Sequence, residues 1–172
     1  METRDGPLPF QRYFVRDKCE PKVTGFRFEG ADQAIPNAAV LAALAGSGLE
    51  AIVICPSNPF ISIDPILAVL GEALRAASAP IIAVSPIIGG QAVKGPAAKM
   101  MAELGLEVSA TSVARNYEGL IDGFVLDQTD EVLASEIEAL GLAVLPAQTM
   151  MNNLLDKEKL AREIMEFAQG LT

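Results

Sequence analysis

The sequence contains no histidine and no tryptophan, and aromatic residues make up only 5% of it. Without imidazole there is no Ser-His-Asp triad, no Cys-His pair and no histidine metal ligand, so those chemistries are excluded outright. Basic residues are scarce as well: 13 Lys and Arg stand against 22 Asp and Glu, a formal net charge of −9 over 172 residues. That balance argues against a nucleic acid or an anionic membrane as partner, because both are held through excess cations. The two cysteines are too few for a disulfide framework, and Cys55 lies in an apolar run where it reads as a small buried hydrophobe. A reducing, cytoplasmic setting is therefore expected. No apolar run is long enough to span a bilayer, and the opening Met1-Glu2-Thr3-Arg4-Asp5-Gly6 leads into no signal core. Residues 1–8, ahead of Pro9, are expected to be loose.

What is present is aliphatic: 51% of the residues are hydrophobic, carried by Ala, Ile, Leu and Val. This composition suits strands covered on both faces. The runs Ala51-Ile52-Val53-Ile54-Cys55 and Ile81-Ile82-Ala83-Val84 are short, continuous and β-branched, which predicts fully buried strands. Further strands are predicted over Val23 to Glu29, Leu106 to Ser109, Phe124 to Asp127 and Leu142 to Leu145. Helices are predicted from Pro36 to Gly46, from Asp64 as N-cap through Leu74, from Pro96 to Leu104, from Thr111 as cap through Leu120, from Thr129 to Leu140 and from Asp156 to Phe167. Strands alternating with helices imply parallel pairing through right-handed crossovers. The expected fold is α/β: an open, doubly wound, mostly parallel sheet of Rossmann-like three-layer type, forming a single domain over 1–172.

In such a sheet, ligands sit outside the carboxyl ends of the strands. Two polar loops open there. In Pro56 to Ser62, Ser57, Asn58 and Ser62 offer donors and acceptors, although Ser and Asn in such places routinely satisfy their own turn. In Ser85 to Gly95, the pair Gly89-Gly90 lets a ligand approach the backbone closely, and is equally compatible with a plain turn. The helix entered at Gly95-Pro96 carries its charges in reverse: Lys94 and Lys99 at the start, Glu103 at the end. A helix dipole prefers the opposite order, by about 0.3–1 kcal/mol per exposed charge. A bound anion would remove the conflict, and the free N–H groups of a first turn suit phosphate. Solvated lysines are the bland alternative. Asp127, at a strand end, is read as a turn former or cap before a metal ligand, and Arg115, Asn116 and Tyr117 as an exposed helical face. Phe10, Tyr13 and Phe14 with Arg12 and Arg16 read as an anchor for the amino-terminal segment or as a surface for a flat ring.

Several of these segments together resemble one family. Phe10-Gln11-Arg12-Tyr13-Phe14-Val15-Arg16, Pro56-Ser57-Asn58-Pro59-Phe60-Ile61-Ser62-Ile63, Ser85-Pro86-Ile87-Ile88-Gly89-Gly90, Lys94-Gly95-Pro96-Ala97-Ala98-Lys99-Met100-Met101 and Ala114-Arg115-Asn116-Tyr117 with Ile121-Asp122-Gly123-Phe124 are similar, in order and spacing, to the 2-phospho-L-lactate transferases of coenzyme F-420 synthesis. The resemblance implies transfer of a 2-phospho-L-lactyl group, or a phosphoenolpyruvyl group in some lineages, from a guanosine diphosphate adduct (lactyl-2-diphospho-5'-guanosine) to the deazaflavin Fo, with GMP released and magnesium (Mg2+) present. It implies Ser57, Asn58 and Ser62 on the guanosine side, and Gly89, Gly90, Lys94, Gly95 and Lys99 around the diphosphate, with Ser85 opening that loop. Family members begin with a strand and a Gly-Gly-Thr-Gly-Gly type loop, followed by acidic residues linked to metal and much of the deazaflavin pocket; this sequence has none of these, and Asn116 stands where His is expected. The chain thus resembles the carboxyl-terminal portion of such a transferase. A homodimer, or a complementary amino-terminal chain, is expected as partner. The alternative is a non-catalytic nucleotide-binding regulatory or assembly module akin to the gluconeogenesis-factor proteins.

Overall fold

The computed structural model of the chain describes residues 1–171; Thr172, the last residue of the expected 1–172 domain, lies outside them. The opening segment, expected loose, is paired. Glu2–Thr3 (β1) and Gly6–Pro7 (β2) form a tight hairpin, and β1 also pairs antiparallel with Val23–Gly25 (β3). The Met1 ammonium donates to the Leu8 carbonyl and the Thr3 hydroxyl to the Gly6 carbonyl. A wide helical turn at Arg12–Arg16 then buries Tyr13 completely, while Phe10 and Phe14 stack outside it at 5.5 Å. Tyr13 is the anchor, and burial pushes its hydroxyl up to about 12, helped by Cys19 and Glu103. The strand expected from Val23 to Glu29 ends early; beyond β3, Phe26 stacks on Phe60 with ring centroids 5.4 Å apart.

The main sheet follows. Ala38–Leu44 (α1) starts from Asn37, whose side chain accepts the Ala39 N–H. Ile52–Ile54 (β4) leads through Asp64–Arg75 (α2) to Ile81–Val84 (β5). The loop expected from Ser85 to Gly95 contains a hairpin, Ile87–Ile88 (β6) and Gln91–Ala92 (β7), followed by Ala97–Glu103 (α3) and Ala110–Asn116 (α4). Gly123–Asp127 (β8), Ala134–Glu138 (α5), Ala143–Ala147 (β9) and Leu154–Gln169 (α6) complete the chain. The sheet order is β4-β5-β8-β9, parallel throughout.

Alternation along the strands divides the core in two. Ile81, Ala83, Phe124 and Leu126 meet α2, α3, α4 and α5 on one face, whereas Ile82, Val84 and Val125 meet Leu160, Ile164 and Ala168 of α6 on the other. Helices on both faces of a parallel sheet make the three-layer, Rossmann-like architecture. Gly123 is where α6 presses hardest: a Cβ there would sit 2.6 Å from Phe167 Cε1. Among the described residues, no helix is long and apolar enough to cross a membrane.

Several local expectations are corrected. β4 is half-buried because it stands at the sheet edge with a neighbour on one side only, and Cys55 at its end is exposed rather than buried. Asp64 does not cap α2. The capping side chain lies six residues earlier: Asn58, just ahead of Pro59, accepts the Phe60 and Ile61 N–H groups, and the wide turn it caps, Pro59–Ile63, carries the chain into α2. Asp64 instead accepts a bond from the Asn116 amide, while burial pushes its carboxyl up. No strand forms over 106–109, because Ser109 there caps α4 by accepting the Ser112 N–H; Thr111, the expected cap, is buried. The helix expected over 129–140 opens as a tighter 3-10 turn, Gln128–Leu133, capped by Asp127.

Candidate functional site

β4, β5 and β9 all end in loops that meet over one edge of the sheet. There they enclose a cavity of about 460 Å3, walled by Pro56–Asn58 after β4, Ser85 and Pro86 after β5, Ile88 and Val93–Lys94 of the hairpin, and Thr149–Asn152 after β9. This is the edge at which the fold exposes its loops to ligands. The first two walls were legible in the sequence. The third was missed, though the same rule of strand ends applied to β9.

Among the described residues, Lys94 is the only charged side chain in the lining, and no acid shares it. Its ammonium is exposed and has no partner among the described residues, and neither does the Ser57 hydroxyl. In a chain of net charge −9, an unpaired cation facing neutral hydroxyl and amide groups makes a local site for an anion. The other polar groups are partly committed. Ser85 Oγ donates to the Ile87 carbonyl at 2.9 Å and accepts the Ile87 N–H at 3.1 Å, which fixes the hairpin's departure from β5. Asn58 Oδ1 caps its own turn and Nδ2 donates to Met100 Sδ, so Asn58 shapes the wall as the turn-satisfying alternative foresaw.

Two acids at the end of β8 hold the walls in place. Asp127 Oδ2 accepts the Thr149 N–H at 3.0 Å and the Thr149 hydroxyl at 2.9 Å, and Oδ1 accepts the Thr129 N–H. Burial alone would raise the Asp127 carboxyl, but the donors from Thr129 and Thr149 outweigh it and hold the group below its ordinary value. Asp130 accepts the Gly89 N–H on both oxygens, at 3.1 and 3.0 Å. Asp127 is thus a cap, and a tie to the β9 loop.

The remaining sequence candidates lie elsewhere. Gly89 and Gly90 have φ of 55° and 71° and form the two-residue turn between β6 and β7, for which positive φ at both positions is required. The Gly89 N–H is taken by Asp130, and neither glycine lines the cavity. Ser62 is exposed on the turn after Asn58. Gly95 and Lys99 line a separate shallow hollow with Phe14, Lys18, Cys19 and Pro96. Lys99 pairs with Glu103, donates to the Pro21 carbonyl at 3.3 Å and lies over the Tyr13 ring; Glu103 in turn accepts the Val23 N–H. The reversed charges of α3 therefore have an internal cause: they dock the amino-terminal segment, and no anion is needed to balance Lys99. Arg115 pairs with Glu136, and Tyr117 is buried rather than exposed. No three His, Cys, Asp or Glu side chains converge among the described residues, and Asp127 and Asp130 face donors. The residues do not fit a magnesium ion held by this chain.

Comparison with known proteins decides the family. The model of the 2-phospho-L-lactate transferase CofD family matches residues 1–165. The chain belongs to that family. It is 40% identical over 163 residues to a phosphoenolpyruvate transferase of Kitasatospora aureofaciens, covering 93% of this chain and 50% of the relative. A phosphoenolpyruvate transferase of Streptomyces griseus is 37% identical over 165 residues, with 94% and 51% covered. A 2-phospho-L-lactate transferase of Methanosarcina mazei is 36% identical over 166 residues, with 96% and 54% covered. The chain therefore spans about half the length of the curated relatives it matches. Both lactyl- and enolpyruvyl-type names occur among these transferases.

Proposed function

We propose that the cavity under Lys94 holds the diphosphate of a guanosine diphosphate adduct, and that the chain serves in the family's group transfer. In this reading a 2-phospho-L-lactyl group, or a phosphoenolpyruvyl group, passes from the adduct to the hydroxyl of the deazaflavin Fo in the cytoplasm. A P–O bond forms to the acceptor oxygen, the P–O bond to the nucleotide breaks, GMP leaves with the electron pair, and the proton of the acceptor hydroxyl passes to solvent or to the departing phosphate. Such reactions are governed by positioning and by neutralising charge on the phosphoryl oxygens. This chain's share is both: Lys94 meets the negative charge, Ser57 and the β9 loop orient the nucleotide, and Asp127 and Asp130 keep the walls in register. Magnesium, expected from the family, is assigned no ligand here. Completion of the deazaflavin pocket is expected of the half of the relatives' length that the chain does not match.

The observation that carries the reading is Lys94, which among the described residues is the sole charge in the cavity lining and has no partner. Calorimetric titration with GDP is expected to give a Kd of about 1 mM, near −4 kcal/mol. Lys94→Glu should weaken it by at least about tenfold, the loss of one charge-assisted hydrogen bond. Lys99→Glu, facing the other hollow, should leave it unchanged. No heat at millimolar GDP, or the reverse order of the two lysines, would sink the proposal. Binding without turnover once the complementary half is supplied would favour the regulatory reading.

A further inference from the structure

The two ends of the cavity differ in chemistry. At one, the Val93 N–H donates to the Pro86 carbonyl and brings Lys94 back beside the end of β5. At the other stands the loop after β9, Thr149 to Asn152. β5 and β9 are two strands apart in the sheet, about 10 Å at the usual inter-strand spacing. A purine nucleoside diphosphate laid across the strand ends, with its phosphates at Lys94, reaches the β9 loop with its base.

That loop is a strap pinned by a carboxylate at each end. Asp127 holds Thr149, and Asp156 Oδ2 accepts the Asn152 N–H at 2.8 Å and the Asn153 N–H at 3.3 Å. Asn153 Oδ1 accepts the Asp156 N–H and closes the capping box of α6. Between the pins, Met151 packs into the core under α6. Met150 lines the cavity and, among the described residues, packs against neither core cluster. The Asn152 side chain is exposed at the same lip, and its amide has no partner among the described residues. A thioether is a soft, adaptable surface for a flat ring. An unpaired amide offers donors and an acceptor side by side.

We infer, resting on the nucleotide reading of this cavity, that Met150 and Asn152 form its base subsite, and that the subsite takes guanine and hypoxanthine alike. Met150 lies on the purine face. The Asn152 amide meets the 6-oxo edge, its NH2 donating to O6 and its carbonyl accepting the N1–H. A carboxylate, the group that accepts from N1–H and the 2-amino group together, is missing: among the described residues no acid lines the cavity, and Asp127, Asp130 and Asp156 around it accept backbone N–H groups instead. The 2-amino group that distinguishes guanine is therefore unread. A pyrimidine on the same sugar is too short to reach the amide.

The test is titration of the full chain with GDP, inosine diphosphate, uridine diphosphate and inorganic pyrophosphate, read by amide chemical shifts. GDP and inosine diphosphate should bind within about threefold of each other, and uridine diphosphate at least about fivefold more weakly, the loss of one hydrogen bond. Asn152→Ala changes only an exposed side chain and keeps the backbone bond to Asp156. It should weaken both purine nucleotides about tenfold, as a lost bidentate pair does, and leave pyrophosphate binding and the thermal melt unchanged. Asn152→Asp should shift the ratio by at least about threefold towards GDP, because its carboxylate accepts the 2-amino group as well. Wild-type preference for GDP beyond that threefold, purine binding unmoved by Asn152→Ala, pyrophosphate binding lost with it, or an unchanged ratio in Asn152→Asp would overturn the subsite while the nucleotide reading stands. Failure of the nucleotide reading itself looks different: neither GDP nor pyrophosphate shifts the cavity residues, and the subsite falls with it.

Discussion

Asp127 is the side chain on which the β9 wall of the cavity hangs. It is buried, yet three donors from Thr129 and Thr149 keep it ionised. Its folded-state pKa is lowered, so the native chain binds fewer protons than the unfolded chain near its titration. The stability it contributes is therefore full above the ordinary carboxylate value of about 3.9 and is lost as pH falls through the folded-state value. Asp127→Asn keeps the shape but weakens the acceptor, and should cost about 2 kcal/mol at pH 7. Urea unfolding of both proteins at neutral and strongly acid pH should show that difference shrinking in acid. A constant difference would mean that the charge contributes nothing. In the sequence, Asp127 was legible as a cap because it ends a strand ahead of Thr129. Its bond to Thr149 was not, since it joins residues far apart in sequence.

At the scale of elements, turns and caps decide more than charge patterns do. Gly89 and Gly90 are a hairpin turn, and Gly90 needs φ of 71°. A Val at Gly90 should cost about 1–2 kcal/mol, the price of placing a β-branched residue in the left-handed region. For a chain of this size that lowers the midpoint by about 3–6 °C in a calorimetric scan. An unchanged midpoint would mean that the hairpin is not formed. Gly123→Ala acts differently, because the added methyl meets the Phe167 ring. Overpacking of about 1–3 kcal/mol is expected, with faster hydrogen exchange confined to α6. If exchange instead rises equally across the sheet, α6 does not dock as described. Strands β5, β8 and β9 and helices α2 and α6 were legible from aliphatic runs and helical periodicity. The 106–109 segment was misread because its Leu106-Glu107-Val108 alternation imitates a strand, while Ser109 is occupied as a cap.

For the whole molecule, the α/β class and three layers followed from the rhythm of strands and helices, whereas the edge position of β4 did not. A run such as Ile52-Val53-Ile54 has the same composition whether one neighbour flanks it or two. The charge reversal in α3 shows the same limit: Lys99 and Glu103 face a segment some 80 residues away, at Pro21 and Val23, so their purpose could not be read from local sequence. Only Lys94 of the expected cation pair opens on the cavity. The central claim is that an anionic nucleotide sits there, over the carboxyl ends of β4, β5 and β9. Amide chemical shifts of isotope-labelled chain titrated with GDP test it most directly. The account predicts changes at Ser57, Ser85, Lys94 and Thr149–Asn152; changes centred on Phe14, Lys18 and Lys99, or none at all, would contradict it.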